Sequence, residues 1–156
     1  MHKMKHNLSS IKLLTNIDEI RSLLTGCGLP VTDISDASAI QFYGIEEEGK
    51  VLAVIGLEKL ADVGLLRSLT VAEAFRGQGL AQRLVAHVES MALHENLKTI
   101  YLLTQTAAQF FEKLGFTPLS RTTAPAPIQT SSQFSCLCPD SAALLRKPVK
   151  NLEDGR

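Results

Sequence analysis

"VAEAFRGQGLAQRLV", residues Val71 to Val85, sets two glycines directly behind an arginine at the start of an amphipathic run. Glycine is a poor helix former, about 1 kcal/mol behind alanine at each position. A bare backbone there has to serve something other than the helix. The preceding "LLRSLTV" reads as a strand. From Leu80 the apolar residues recur at helical spacing: Leu80, Leu84, Val88 and Met91, flanked by Ala81, Val85 and Ala92. Gln82, Arg83, His87, Glu89, Ser90 and His94 take the other face, which places both histidines in solvent. The stretch is therefore strand, loop and helix in succession.

That arrangement points several backbone N–H groups at one spot. The first turn of a helix carries donors without intrahelical partners and a partial positive charge, which suits a phosphate. Missing side chains at Gly77 and Gly79 let phosphate oxygens reach that backbone, and Arg76 offers a charge-assisted contact at the rim. A tight turn alone would use the same glycines; the strand–loop–helix setting favours the phosphate. No Gly-Lys-Ser/Thr follows, so this is not a Walker loop. Nor does the strand open a βαβ unit, as a dinucleotide fingerprint requires.

Outward from this stretch, "IKLLT" (11–15) predicts a short strand, after which Thr15 caps a helix over "NIDEIRSLLTGCG" with Asp18 in an approximate capping box. Gly26 and Gly28 end that helix. "AIQFYGIEEEGKVLAVIGLEKL" predicts a hairpin turning at Glu48-Gly49, and "ADVG" (61–64) turns the chain into the strand before the glycines. Downstream, "LKTIYLLT" is a strand covered on both faces. Thr104 then caps the helix "QTAAQFFEKL", which stops at Gly115. "FTPLS" and "SAALLRKPV" are the last strands, joined by a Pro- and Ser/Thr-rich connection with room for a short helix. The fold class is α+β (mixed α/β): a central, mostly antiparallel twisted sheet flanked by helices. A single domain is expected over residues 1–150, with 151–156 as a polar tail.

Composition narrows the function classes. Sixteen Lys and Arg balance sixteen Asp and Glu, so no broad basic field invites nucleic acid or an acidic membrane. The basic "MHKMKH" and acidic "EEEGK" stretches read as a solvated tail and turn. No apolar run reaches the length of a membrane span, and a signal-peptide core is missing, which implies a cytoplasmic protein. Three cysteines fit a reducing compartment. Cys27 stands alone, and Cys136 with Cys138 lacks the further ligands of a structural zinc site, so no metal is expected.

"RGQGLA" resembles the R/Q-x-x-G-x-G/A motif of the GNAT superfamily, the acyl-CoA-dependent N-acyltransferases. "FFEKLGF" (110–116) is similar to that family's second signature, and the order of elements matches over roughly residues 10 to 147. The resemblance implies that Arg76, Gly77, Gln78, Gly79, Leu80 and Ala81 hold the pyrophosphate of coenzyme A. It implies too that the Leu69–Thr70–Val71 segment pairs with the pantetheine arm through the backbone of Leu69 and Val71. Acetyl-CoA is the expected cosubstrate, a homodimer is compatible by family likeness, and Phe111 would line the pantetheine channel. Two departures stand out. Phe111 replaces the tyrosine that in many relatives protonates the thiolate, and Thr104 replaces an asparagine that often pairs with pantetheine. "GLLRSLTV", "TQTAAQFFEKLGF" and "TSSQFSCLCPDSA" together resemble the subgroup encoded beside arsenic-resistance genes.

Direct aminolysis of a thioester needs a neutral amine, so a carboxylate base helps. Glu58 is the first candidate. If Leu60 pairs with Leu65 across the "ADVG" turn, Glu58 faces Arg67, either as a cross-strand ion pair or with Arg67 holding a substrate carboxylate. Tyr43, Ser68, a cysteine or water would serve in place of the missing tyrosine. Gln133 and Ser132 are weaker candidates for acceptor contact. Cys136 and Cys138 on one side of a strand would suit a soft ion such as an arsenical, or simple packing. Three functions follow. The first is transfer of an acetyl group to a small amine or amino-acid-like acceptor in a ternary complex. The others are an acyl-CoA-binding sensor without chemistry, and an arsenical-binding resistance protein.

Overall fold

The computed structural model describes residues 10–35, 39–131, 134 and 141–150. In chain order the elements are β1 (Lys12–Leu14), α1 (Ile17–Gly26), β2 (Ile40–Glu47), β3 (Lys50–Leu60), β4 (Val63–Val71), α2 (Leu80–His94), β5 (Thr99–Thr104), α3 (Ala108–Lys113), β6 (Thr117–Leu119), α4 (Ala126–Gln129) and β7 (Ala143–Pro148). Short 3₁₀ turns lie at Glu73–Phe75 and Arg121–Thr123. The strands form one seven-stranded sheet in the order β1-β2-β3-β4-β5-β7-β6. β4 and β5 run parallel, while the β1–β2, β5–β7 and β6–β7 pairs are antiparallel. The α+β reading, with a mostly antiparallel sheet and helices, holds.

The chain divides into two compact units, Met1–Gly56 with Ser68–Val88, and Leu57–Arg67 with Glu89–Arg156. In the first, β1 pairs with β2 from Lys12↔Gly44 to Leu14↔Phe42. Leu14, Ile20, Leu24, Ile34, Phe42, Val51 and Val54 make its core. Burying that much aliphatic side chain supplies about 1.5–3 kcal/mol per residue before entropy is counted. Arg21 donates to the Val31 carbonyl at 3.2 Å and to the Ile34 carbonyl, holding the chain that follows α1. Glu48 and Gly49 form the two-residue hairpin turn at φ 52° and 80°, the left-handed pair that matches strand twist.

Helix α1 starts differently from the sequence expectation. Asn16, not Thr15, is the N-cap, with its side-chain oxygen accepting from the Glu19 amide at 3.1 Å. Asparagine's short carbonyl satisfies that otherwise unpaired donor, and Glu19 takes the third helical position. Asn16→Ala is expected to cost about 1 kcal/mol. Thermal unfolding should show a Tm lower by several degrees; an unchanged Tm would mean the cap contributes nothing.

His87 also departs from expectation. It is half-buried, its ring packed edge-on to buried Tyr43 with centroids 5.0 Å apart and planes at 60°. Lost solvation lowers its pKa from the ordinary value of 6.5. The proton then binds the unfolded chain more tightly than the folded one. The stability this histidine leaves intact above pH 6.5 is lost as pH falls through that value toward the folded pKa. Denaturant titrations at pH 7.5 and 5.5 should show a loss on acidification that His87→Gln reduces. Equal losses in both proteins would refute the assignment.

In the second unit the β4–β5 ladder joins Val63, Gly64 and Leu65 to Thr99, Ile100 and Tyr101. β7 then pairs with β5 through six residues and with β6 through three. Val63, Leu65, Tyr101, Ala124, Ile128 and Leu144 form the core there. Lys147 ties elements of this unit together, donating to both Glu89 carboxylate oxygens at 3.0 Å and to the Leu114 carbonyl at 2.7 Å. Among the described residues, no helix is long and apolar enough to cross a membrane.

Candidate functional site

Strand β4 carries the residues on which the functional reading depends. Ser68, inside the strand, has φ +61°, a left-handed conformation that costs a non-glycine residue about 1–3 kcal/mol. It interrupts the regular pleat between Arg67 and Leu69. Such strain persists only where surrounding structure holds it, and it concentrates at functional sites. Two residues on, Thr70 is buried, and its hydroxyl oxygen has no hydrogen-bond partner among the described residues. An unmet buried hydroxyl costs about 1–3 kcal/mol.

In the first unit the chain leaves β4 at Val71, makes the 3₁₀ turn at Glu73–Phe75, and enters α2 through the glycines. Gly77 and Gly79 have φ 82° and 80°, a region other residues avoid. The Gly79 carbonyl accepts the first helical bond, from the Arg83 amide at 3.2 Å. The Leu80, Ala81 and Gln82 amides, which precede it, have no acceptor inside the helix. A Cβ at Gly77 would meet nothing within 4 Å, and one at Gly79 only the Gln82 side chain at 3.8 Å. The left-handed backbone, not close packing, therefore calls for glycine here. The open space at both Cβ positions, next to the unpaired donors of the first helical turn, leaves room for an anionic ligand such as a diphosphate. Gln78 is exposed, Leu80 is buried in the core, and Ala81 is half-buried.

Arg76 is exposed, yet engaged: its Nε donates to the Val71 carbonyl at 2.8 Å and its Nη2 to the Cys27 sulfur at 3.7 Å. A cleft of about 570 Å³ lies beside it, lined by residues including Cys27, Lys50, Leu52 and Phe75. Cys27, solitary in the sequence, is brought against Arg76 by the fold. No spacing rule connects a thiol to an arginine 49 residues away.

The second unit holds the ion pair. Arg67 Nη1 lies 3.3 Å from Glu58 Oε1, with the arginine side chain 0% exposed and the glutamate 15%. The pair forms although the turn is tighter than supposed: β3 runs to Leu60 and β4 starts at Val63, leaving only Ala61 and Asp62 between them. Thr104 does not cap α3 directly. Its hydroxyl oxygen accepts from the Ala107 amide at 3.0 Å, and Ala107 is the N-cap. The short hydroxyl closes the turn before the helix instead, so α3 begins at Ala108. Phe111 is buried and packs edge-on against Phe110 and Phe116, with centroids 5.0 and 5.6 Å away. In the first unit, Tyr43 donates its hydroxyl to the Gln41 side chain at 2.8 Å. Ser132, Gln133, Cys136 and Cys138 lie outside the described residues. No cluster of metal-binding side chains occurs among the described residues.

The acetyltransferase (GNAT) domain family matches residues 38–118, more than half of the chain. An amino-acid acetyltransferase of Pseudomonas fluorescens is 35% identical over 88 residues, which make up 55% of this chain and 20% of that protein. The chain thus spans about a fifth of the curated relatives it matches. Among solved structures, a GNAT-family acetyltransferase from Staphylococcus aureus Mu50 superposes with a TM-score of 0.71 at 19% identity, covering 90% of this chain and 99% of that one. The N-acetylglutamate synthase of Neisseria gonorrhoeae, crystallised with coenzyme A and N-acetyl-glutamate, gives 0.73 at 18% identity, over 91% of this chain and 35% of that one. With its family match, its seven-stranded sheet and its glycine loop in agreement, this chain belongs to the GNAT acetyltransferase family.

Proposed function

We propose that the chain transfers an acetyl group from acetyl-CoA to the amine of a small, amino-acid-like molecule by direct attack. The observation that carries this reading is the open, left-handed Gly77–Gly79 loop at the mouth of α2, with space where side chains would stand. The amides from Gly77 to Ala81 would hold the pyrophosphate, and the Leu69–Val71 backbone the pantetheine. The Val71 N–H polarises the thioester carbonyl as charge develops on its oxygen. Glu58, directly or through water, deprotonates the ammonium so that the neutral amine attacks the thioester, and Ser68 or water donates a proton to the departing thiolate in place of the tyrosine that Phe111 replaces. Arg67 has the planar fork that binds carboxylates through two parallel bonds, and because its side chain is 0% exposed and paired with Glu58, it would meet an acceptor carboxylate only as that pair opens.

An amino-acid acceptor is supported by the name of the P. fluorescens relative and by the N-acetyl-glutamate in the N. gonorrhoeae structure. The arsenic-associated subgroup has only its three sequence stretches behind it, and both thiols that would grip an arsenical lie outside the described residues. Thiol release from acetyl-CoA should be measured with amino acids, their amides and simple amines. Turnover is expected with amino acids and should fall sharply when the carboxylate is amidated. A second reading, an acyl-CoA sensor, is favoured by the buried apolar Phe111. Coenzyme A binding without release on any amine would establish it.

A further inference from the structure

The arginine before the glycines is turned back onto the protein. Arg76 Nε reaches the carbonyl of Val71, the last residue of β4, at 2.8 Å, and Nη2 reaches the Cys27 sulfur at 3.7 Å. Cys27 caps the C-terminal end of α1. One planar guanidinium thus bridges the end of a strand, the end of a helix and the start of the glycine loop. Two donors fixed in one plane orient the whole group, which lysine's single ammonium cannot do. A loop with left-handed glycines at 77 and 79 has unusual backbone freedom, and ordering it on binding lowers affinity.

We infer that Arg76 is a positioning residue for the carrier loop, clipping it to β4 before any ligand arrives, and that Cys27 is the anchor that aims the clip. This extends the phosphate-loop reading above and assigns Arg76 a different task from touching the phosphate. The sequence expectation is a direct contact with the phosphate at the rim; two of the guanidinium nitrogens, Nε and Nη2, are directed at Val71 and Cys27.

A double-mutant cycle on coenzyme A affinity, read by calorimetry, tests it. Arg76→Ala should weaken binding about tenfold, the worth of a hydrogen bond from a charged donor. Cys27→Ala should weaken it about threefold, because sulfur is a weak acceptor. The double variant should be no weaker than Arg76→Ala alone, and Arg76→Lys should not rescue. Wild-type affinity in Cys27→Ala, losses that multiply, or full rescue by lysine would each overturn the inference. Hydrogen exchange at the Gly77, Gln78 and Gly79 amides supplies a readout in the free protein. Exchange should speed up in both single variants, and unchanged rates would also overturn it. If the wild-type chain did not bind coenzyme A, the functional reading would fail while the exchange rates still decided the clip.

Discussion

Gly79→Val is expected to raise the KM for acetyl-CoA by about a hundredfold, the loss of two or more hydrogen bonds to a charged group, with kcat changed far less. The asymmetry follows from where the space lies. An added Cβ would meet only the Gln82 side chain, at 3.8 Å, so no close contact at the Cβ opposes the substitution. What opposes it is the left-handed φ of 80°, worth about 1–3 kcal/mol of stability for a branched residue. The added methyl groups would take up the open space at Gly79, next to the first turn of α2, where phosphate oxygens need to come within hydrogen-bonding distance. Gly79→Ala should give the same pattern in milder form. A variant that kept wild-type KM would remove the phosphate from this loop.

Substitution of Arg67 should act on stability and on acceptor binding together. Its side chain is 0% exposed and paired with Glu58, so Arg67→Ala leaves a carboxylate without this partner and is expected to cost about 3–5 kcal/mol. Arg67→Lys keeps the charge and loses the planar fork, and is the sharper test. If Arg67 holds the acceptor, lysine should raise the KM for amino acids about tenfold and leave the KM for acetyl-CoA alone. If the pair is purely structural, Tm falls and both KM values stay where they were. Glu58→Gln separates the second role: a base that is lost lowers kcat by about 10²–10⁴.

Much of the architecture could be read from local pattern. The Glu48-Gly49 turn, the 3.6-residue period from Leu80 to Ala92 and the apolar run of β5 each follow from rules that act within a dozen residues. The glycine loop was legible for the same reason, since a strand, a gap and a helix fall in one contiguous stretch. The Glu58–Arg67 pair follows from placing both residues on one face of a hairpin, and the two side chains do meet. What escaped depended on distant partners or on competition between neighbours. Asn16 and Thr15 are both competent caps, and the outcome turned on which oxygen reached the Glu19 amide. His87 sits on the helix's polar side by period, yet β2 places Tyr43 against it. Cys27 and Arg76 are joined only by tertiary structure.

On this reading, the amides at the mouth of α2 hold the diphosphate of an acyl carrier. A ¹⁵N-resolved NMR titration with coenzyme A tests it directly. Binding should saturate, with the largest shifts at the Gly77, Gln78, Gly79, Leu80 and Ala81 amides. Saturation that left those five resonances in place, or no binding at millimolar coenzyme A, would contradict it.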